Sequence, residues 1–472
     1  MTRILLTILS IFAAISIGAA EYNVRDFGAK GDGKNIDSDA INKTIEYANE
    51  NGGGTVRIPS GTYLSYSIHL KSNITLALDE GAVIKAAPVT KTRGYDDPEP
   101  NTSSYQDFGH SHWKNSLLWG IDLKNVKIIG KGLIDGTGVL SRGGPKRGYT
   151  GPSEANKALA LRDCKDVELR DVSFLSCGHF ALLLTGVDNL HIEGVTADTN
   201  RDGFDIDCCE NVVIRNCKVN TINDDAIVLK CSYALGWAKP TKNVLIEDCD
   251  VSGYDVGSFL DGTRTTKTEK APDRDGPTGR IKFGTESNGG FINITVRDCR
   301  FNHCRGLALE TVDGAPLKNV KVSNLTMNDI CNSPIYIRLG DRMRGPKELK
   351  PSLVKNIKIS NITATDVDSR YAILIAGLDD HPVKDVKISD VSVQFRGGLT
   401  MDDYKNQRGS NSFFYKEGGN YPEPSAHGIQ PAWGISLINA ENITFRNTKL
   451  TLMNPDERPM VAQKNTKNIV IK

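Results

Sequence analysis

The 472-residue sequence contains no block of basic residues and, after residue 20, no apolar run long enough to cross a bilayer. Its 58 Lys and Arg residues are balanced by 57 Asp and Glu residues, so the formal net charge is only +1. A neutral chain without a basic patch lacks the electrostatic character of a nucleic-acid-binding protein. We therefore expect no nucleic-acid partner and no membrane span, although a local cluster of Arg and Lys could still bind an acidic polysaccharide.

Residues 1–20 have the pattern of a signal peptide. Arg3 precedes an apolar run that extends from Ile4 to Ile17, and small residues follow in Gly18-Ala19-Ala20. The run is shorter than the roughly 18–20 residues that a transmembrane helix needs. We expect cleavage near Ala20, no lipid anchor because no Cys follows that point, and a periplasmic or secreted mature protein.

A short cassette recurs along the chain, in which an Asn or Asp is followed by alternating apolar residues. The first three copies begin at Asp166, Asn189 and Asn211, at intervals of 23 and 22 residues. The alternation is typical of strands, and a repeat of this length indicates stacked coils that bury their apolar residues against one another. The sequence therefore predicts one right-handed parallel β-helix domain over residues 21–472. Further copies begin at Asn243, Asn293, Asn319, Asn356, Asp385, Asn442 and Asn468.

An amphipathic helix is predicted before the first coils, from Asp37 to Asn51. Ile41, Ile45 and Ala48 share one face of it, and Asp37 or the next residue is a candidate N-cap. A solenoid needs such an element to cover the apolar end of its first coil.

The ten cysteines follow the repeat rather than a disulfide pattern. Cys217, Cys249 and Cys299 occupy the cassette position that Val172 or Val195 fills elsewhere, so we interpret them as buried thiols in the interior, with disulfides as the alternative. Four Asn-Ile-Thr sequons also coincide with cassette starts or close analogues. We predict that these Asn side chains stack between coils, with glycosylation as the less favoured alternative. The sequons begin at Asn73, Asn293, Asn361 and Asn442.

Three carboxylates are separated by one repeat, because Asp202 precedes Asp224 and the adjacent Asp225 by 22 residues. One coil further along a solenoid is a displacement of about 4.8 Å, so the three should converge. Both adjacent residues can face one cleft only if they lie in a turn or bulge. Carboxyls this close cannot all ionise, and one acid beside one base is what glycoside hydrolysis requires. The alternative, partly favoured for Asp205 and Asp207, is a solvated corner.

These residues make the chain resemble the polygalacturonase-like glycoside hydrolases of family 28. Val24–Gly33 resembles the family's opening, Gly132–Gly138 resembles its G-x-I-D-G-x-G motif, and Asn200-Arg-Asp202 resembles its N-T-D. The resemblance implies a right-handed β-helix that hydrolyses α-linked galacturonides with inversion and without a metal or organic cofactor. It also implies that Asp224 is the general acid and that Asp202 and Asp225 activate water.

The chain departs from the family where the leaving group should bind. The family's Gly-His-Gly is absent, and Arg280-Ile-Lys282 matches the uronate-binding Arg-x-Lys motif one coil earlier than expected. At the expected coil, Gly306–Thr311 places Glu310 where a cation belongs, and a carboxylate there would repel a uronate. The leaving-group subsite is therefore expected to be altered.

Other candidate substrate contacts follow from position. They are Asn200, Asp205, Lys230 and Arg338, with Arg342 and Arg344 close to the last of these. His179 and the loop Gly109–Trp113 are weaker candidates, since a lone His is more often structural. The segment from Tyr404 to Trp433 carries Phe413, Phe414, Tyr415 and Tyr421, and is either a sugar-stacking wall or, as we favour, a packed flap.

The function that these observations favour is hydrolysis of α-linked galacturonic acid or rhamnogalacturonan bonds in pectic poly- or oligosaccharide by an exported monomer. A β-helical polysaccharide lyase, which would need calcium, is one alternative. A non-catalytic glycan-binding β-helix is the other.

Overall fold

A computed structural model describes residues 20–100, 105–143, 150–267, 276–407 and 421–472. The predicted signal peptide therefore lies, except for Ala20, outside the described residues. Short parallel strands pair only with their counterparts in the preceding and following coils, and form three sheets that run the length of the stack. The chain is a right-handed parallel β-helix, as the repeat predicted.

Each coil contributes one strand to sheets A, B and C in turn, and the strands of the last coils are long enough to turn from one sheet into the next. Sheet A contains Ile68–His69, Leu118–Ile121, Lys157–Arg162, Phe180–Thr185, Asp202–Asp207, Ile227–Cys231, Ile281–Ser287, Leu307–Thr311, Ile335–Leu339 and Ile373–Ala376. Sheet B contains Glu21–Asn23, Gly54–Ile58, Ile74–Leu78, Lys124–Gly130, Lys165–Arg170, Asp188–Glu193, Glu210–Arg215, Thr241–Glu247 and Phe291–Arg297. Sheet C contains Asp32–Ile36, Gly61–Ser65, Ala82–Ala86, Leu133–Asp135, Ser173–Leu175, Thr196–Thr199, Lys218–Thr221, Asp250–Ser252 and Arg300–Cys304. The long strands Leu317–Ile330, Val354–Val367 and Val383–Gly397 continue sheets B and C. Ile435–Asn454 continues all three sheets, and Val461–Ile471 continues sheets A and B.

The cassette Asn and Asp residues form a hydrogen-bonded ladder along the outside of the stack. Asn211 donates from Nδ2 to Oδ1 of Asn189 at 3.1 Å, and Asn243 donates likewise to Asn211 at 3.0 Å. Each of these three residues has a positive φ between 53° and 58°, a conformation that Asn adopts more readily than most residues. The predicted stacking of the sequon Asn side chains is confirmed, for example between Asn293 and Asn243 at 3.3 Å.

The predicted capping helix is present and spans Ser38–Glu50. Ile41, Ile45 and Ala48 are fully buried beneath it. Asp37 occupies the N-cap position, but its carboxylate accepts hydrogen bonds from the backbone of Lys30 and Gly31 instead of from the helix. The remaining helical segments are short, and comprise Val24–Phe27, Gly109–Ser111, Met401–Asn406 and Pro424–His427.

The interior is a continuous column of apolar side chains, and the cysteines lie within it or at its edge. Cys217, Cys249 and Cys299 are at most 1% exposed, which confirms their inward-facing cassette position. Among the described residues, no helix is both long and apolar enough to cross a membrane.

The outer face of sheet A is covered in its middle by two segments from elsewhere in the chain. Residues 105–114 reach it from the N-terminal side, and the described residues from Tyr421 onward reach it from the C-terminal side. The space between them lies over the strand Asp202–Asp207 and the next coil.

Candidate active site

The three carboxyls separated by one repeat do converge. Asp202 begins its sheet A strand, while Asp224 and Asp225 lie in the bend between Lys218–Thr221 and Ile227–Cys231. One carboxylate oxygen of each lies within 4.8 Å of one from each of the others. The coils are held in register beside them, since the Gly203 amide donates to the Asp225 carbonyl at 3.0 Å.

Two of the three carboxyls are driven towards opposite protonation states. Burial, helped by the neighbouring Asp224 carboxylate, raises the pKa of Asp202 well above its usual range. Burial also opposes ionisation of Asp225, but Lys282 and Arg280 outweigh it and lower the pKa of Asp225. Asp224 itself forms an ion pair with Arg201. The surroundings therefore favour the protonated form of Asp202 and the ionised form of Asp225.

Lys230 is the central cation on one side of the three carboxyls. Its Nζ lies 2.7 Å from Asp205 Oδ2, 3.8 Å from Asp202 Oδ2 and 3.6 Å from Glu286 Oε2. Burial disfavours the ammonium, but these carboxylates raise the pKa of Lys230 well above its usual range. Asp205 is fully buried and Asp207 is 1% exposed, so their interpretation as solvated corner residues was wrong. His110 and Lys230 contact the Asp205 carboxylate, and the Ser232 hydroxyl donates to the Asp207 carboxylate.

His110 joins the covering segment to this cluster. Its Nδ1 lies 2.6 Å from Asp107 Oδ1, and its Nε2 lies 3.2 Å from Asp205 Oδ2. Burial disfavours the imidazolium, but the Asp107 carboxylate outweighs it and raises the pKa of His110 to about 10. We call Asp107, His110, Asp205, Lys230 and Glu286 the pocket cluster.

His179 lies beside His110 but has the opposite character. Its ring stacks on Phe180 with centroids 4.2 Å apart, and burial lowers the pKa of His179 well below its usual range. Nδ1 of this neutral ring has no hydrogen-bond partner among the described residues, although the side chain lines the pocket.

Arg280 and Lys282 lie on the other side of the carboxyls, directly behind Asp225. Arg280 Nε donates to Asp225 Oδ1 at 2.8 Å, and Lys282 Nζ lies 3.5 Å from Asp225 Oδ2. Both side chains are almost fully buried, at 1% and 0% exposure. Tyr421 covers Lys282, because the Lys282 ammonium donates to the Tyr421 hydroxyl at 2.9 Å. The cations predicted to bind substrate therefore touch a candidate catalytic carboxylate but do not line the pocket.

Two further carboxyls and one further cation complete this group. Glu423 contacts Arg280 closely, and its oxygens lie 3.4 Å from Lys282 Nζ and 3.3 Å from Arg305. Glu310 lies 3.8 Å from Lys282 and 3.9 Å from Arg280. We call Arg280, Lys282, Arg305, Glu310 and Glu423 the buried cluster.

The two carboxyls of the buried cluster differ in protonation. Burial disfavours an ionised Glu423, but Arg280 and Lys282 lower its pKa well below the usual range. Burial raises the pKa of Glu310 to about 8, even though Lys282 opposes this. The cluster therefore pairs its cations with Glu423 and Asp225, while Glu310 stays neutral at neutral pH.

The pocket over these residues has a volume of about 390 Å³. Of the residues predicted from the sequence, Asp202, Asp224, Asp225 and Lys230 line it, as do the less favoured candidates His110, His179, Arg344 and Tyr421. The other principal candidates do not line it, and these are Asn200, Asp205, Arg280, Lys282, Glu310 and Arg338. The complete lining is Asp107, His110, Arg142, His179, Arg201, Asp202, Asp224, Asp225, Lys230, Glu286, Arg344 and Tyr421.

Two predicted contacts are displaced from the pocket for identifiable reasons. Asn200 accepts a hydrogen bond from Asn223 one coil on, at the bend before sheet A. Arg338 is 1% exposed, is registered beside Glu310 and donates to the Gly377 carbonyl at 3.4 Å. Its neighbours Arg342 and Arg344 do reach the site, where both contact Glu286.

A metal ion would have to compete with side-chain cations here. His110, Asp202 and Asp205 offer ligand atoms within 4.8 Å of one another, but the Lys230 ammonium contacts all three. The group of Asp202, Asp224 and Asp225 is likewise contacted by Lys230, Arg201 and Arg280. The carboxylates are thus balanced by protein cations.

Asp107, Glu286 and Glu423 had no assigned role in the sequence analysis, whereas Tyr421 was named there in the late segment and does cover one side of the pocket. Asp107, Tyr421 and Glu423 come from covering segments that have no fixed spacing to the repeat, so no periodicity could place them. Glu286 follows Lys282 by four residues on one strand, and this spacing was the only available signal. Phe413, Phe414 and Tyr415 of the predicted late segment lie outside the described residues, whereas Trp433 packs edge-on to Phe395.

Comparisons with known proteins agree with the fold. A family profile described as "Rhamnogalacturonase A/epimerase, pectate lyase-like" matches residues 22–174, and one described as "Right handed beta helix region" matches residues 123–271. A probable polygalacturonase of Vitis vinifera is 26% identical over 336 residues, which are 67% of this chain but 62%, less than two thirds, of that relative.

Two solved structures share the architecture. The family 28 exopolygalacturonase of Yersinia enterocolitica has a TM-score of 0.69 at 17% identity, covering 96% of this chain and 78% of that one. The exopolygalacturonase of Thermotoga maritima has a TM-score of 0.63 at 22% identity, covering 80% and 87% respectively. At these sequence identities the structural similarity shows the fold. The sequence matches indicate in addition that the chain is similar to polygalacturonases. The resemblance drawn from the motifs is confirmed: the chain is a right-handed parallel β-helix protein that is similar to the polygalacturonase-like proteins of family 28.

Proposed function

We propose that this chain is an exported glycoside hydrolase that cleaves an α-linked galacturonic acid or rhamnogalacturonan bond in pectic polysaccharide. The convergence of Asp202, Asp224 and Asp225 in a pocket, with one proton held among them, is the observation that carries the proposal. The similar proteins described above, a probable polygalacturonase and an exopolygalacturonase, support this substrate class. A pocket bounded by residues 105–114 on one side and by Tyr421 on the other suits the end of a sugar chain better than its middle, which supports exo cleavage.

The roles follow from the resemblance and from charge. Asp225, held ionised by Arg280 and Lys282, suits the base that takes a proton from water as the water oxygen bonds to the anomeric carbon. Asp224 gives a proton to the departing glycosidic oxygen. In the unliganded site the shared proton rests on Asp202, so a sugar that displaces Arg201 from Asp224 would let Asp224 accept it.

The roles of Asp224 and Asp225 can be separated by comparing variants on substrates that have different leaving groups. Asp224→Asn should lose most activity on natural oligosaccharides but keep activity on p-nitrophenyl α-D-galacturonide, because that leaving group needs no proton. Asp225→Asn should lose activity on both. Equal loss on both substrates in Asp224→Asn would assign the acid to another residue.

The stereochemistry is tested separately by proton NMR of the first product. Inversion at an α-linkage releases the β anomer. Inverting pairs usually lie roughly 6.5–9.5 Å apart and retaining pairs about 5–5.5 Å apart. Here one oxygen of each carboxyl lies within 4.8 Å of one oxygen of each of the others, so inversion requires water to be held beside the trio rather than between two distant groups. An initial α anomer would contradict inversion.

The lyase alternative has a distinct signature. A lyase would release an unsaturated, ultraviolet-absorbing product and would require calcium. Appearance of that absorbance, abolished by a chelator, would replace the hydrolase proposal.

The proposal extends to the whole mature chain. We place residues 21–472 in one catalytic domain that acts as a monomer after cleavage near Ala20. Mass spectrometry of the exported protein and its mass in solution test these two statements.

A further inference from the structure

The buried cluster places a protein carboxylate, that of Glu423, on the two cations whose motif resembles a uronate-binding one. Arg280 and Lys282 form a pair of cations directly behind Asp225, at 2.8 and 3.5 Å from its oxygens. Glu423 Oε1 contacts Arg280 closely and lies 3.4 Å from Lys282, while Glu423 Oε2 lies 3.3 Å from Arg305. Glu423 lies more than 100 residues after these cations in the chain. Their charges are therefore balanced by a segment that packs onto the coils, and not by the coils that carry them.

Burial makes this arrangement hard to displace. Arg280, Lys282, Arg305 and Glu423 are each at most 3% exposed. Separating one of these charges from its partners would leave an uncompensated buried charge, which is costly. A substrate carboxylate that approached Arg280 and Lys282 would also meet the charges of Glu423 and Asp225.

Tyr421 closes the pocket on this side and offers a different surface. Its hydroxyl accepts from Lys282 Nζ at 2.9 Å, and the Lys282 ammonium lies 4.7 Å from its ring centroid. The residue is nevertheless 46% exposed and lines the pocket. An exposed aromatic face beside a catalytic carboxylate is suited to the apolar C–H face of a sugar ring.

We propose that the subsite between Asp225 and Tyr421 takes a neutral sugar, and that Glu423 excludes a uronate from it by occupying Arg280, Lys282 and Arg305. This inference rests on the proposed glycosidase function and narrows its substrate to a bond whose leaving group carries no carboxylate. Within pectic polymers, a galacturonic acid linked to rhamnose has that chemistry, whereas one linked to galacturonic acid does not.

The test compares two disaccharides with the same α-galacturonosyl group, one ending in rhamnose and one in galacturonic acid. The wild-type protein should hydrolyse the rhamnose-ended compound with a kcat/KM at least about tenfold higher, since each tenfold corresponds to only 1.4 kcal/mol. Glu423→Gln removes the internal charge and should raise kcat/KM for digalacturonate by at least about tenfold, the scale on which charge complementarity changes recognition. Glu46→Gln, a change at an exposed glutamate paired with Lys71, is the matched control and should leave both values unchanged. Equal wild-type rates on the two compounds would overturn the inference while leaving the glycosidase proposal intact.

Binding supplies a second readout that does not need turnover or a stable Glu423 variant. Calorimetric titration of Asp202→Asn with each disaccharide should show affinity for the rhamnose-ended compound and about tenfold weaker affinity for digalacturonate. Tyr421→Ala should weaken the first by about tenfold, as expected for a lost aromatic contact, and Tyr421→Phe should not. Tighter binding of digalacturonate would overturn the inference, and failure of the wild type to hydrolyse either compound would instead count against the proposed function.

Discussion

The two charged clusters that flank the catalytic carboxyls are built from the same chemistry but present different surfaces. In the pocket cluster, Lys230 balances Asp205, Glu286 and the edge of Asp202, and lines the cavity. In the buried cluster, Arg280 and Lys282 balance Asp225 from behind and are covered by Tyr421 and Glu423. The comparison shows that a cation can shift the pKa of a neighbouring catalytic carboxyl whether or not the cation itself is open to a ligand.

The largest expected effect on activity comes from removing the carboxyls that lie between the two clusters. Asp202→Asn and Asp225→Asn should each lower kcat by about 10³-fold or more, because acid–base groups contribute roughly 10²–10⁴-fold and act together here. Reducing-sugar release from pectic oligosaccharides measures this. Asp188→Asn, at a partly exposed residue that precedes the ladder residue Asn189 and pairs with Lys239, should retain full activity.

Replacing the central lysine of each cluster should lower the stability of the protein by different amounts. Lys230→Met leaves Asp205 and Glu286 buried beside fewer cations, and should lower the free energy of unfolding by about 3–5 kcal/mol. Lys282→Met should cost less, since Arg280 and Arg305 still contact Glu423. Denaturant unfolding of both variants checks the order, and a larger loss in Lys282→Met would reverse the comparison.

The buried cluster should also make stability depend on pH. The pKa of Glu310 is raised from 4.5 to about 8, so its neutral form is favoured in the folded state. This contribution is fully present below pH 4.5 and is lost as the pH rises through about 8. The free energy of unfolding of the wild type should therefore fall across that window by on the order of 1–3 kcal/mol relative to Glu310→Gln. Parallel pH profiles for the two proteins would show that Glu310 does not hold the proton.

The smallest effect should come from the outer ladder, which provides a baseline outside both clusters. Asn211→Ala removes one donor and one acceptor from neighbouring rungs and the residue best suited to a φ of 58°. We expect a loss of about 0.5–1.5 kcal/mol with unchanged kcat/KM, because the groups are exposed to water. A loss as large as that of Lys230→Met would mean that ladder rungs, and not the charge clusters, dominate stability.

Some of the site could be predicted because it lies on the repeat. Asp202 and Asp225 are one period apart, and Lys230 lies on the strand that follows Asp225. Arg280 and Lys282 were recognised by their motif, but their burial was not, since it depends on Tyr421 and Glu423. Arg338 was predicted to contact substrate, but it does not line the pocket. Its strand pairs with the strand of Glu310, two coils beyond the pocket.

The amino-acid sequence by itself determined the β-helix, its capping helix, its Asn ladder and the meeting of three carboxyls. These are consequences of local periodicity, since a repeat of 22 or 23 residues returns the chain to the same face one strand spacing away. Only the tertiary structure decided which carboxyl holds the proton, which cations reach the cavity and what covers the rest. Those outcomes depend on burial and on charges brought from residues 105–114 and 421–423, and no spacing along the chain fixes where such segments pack.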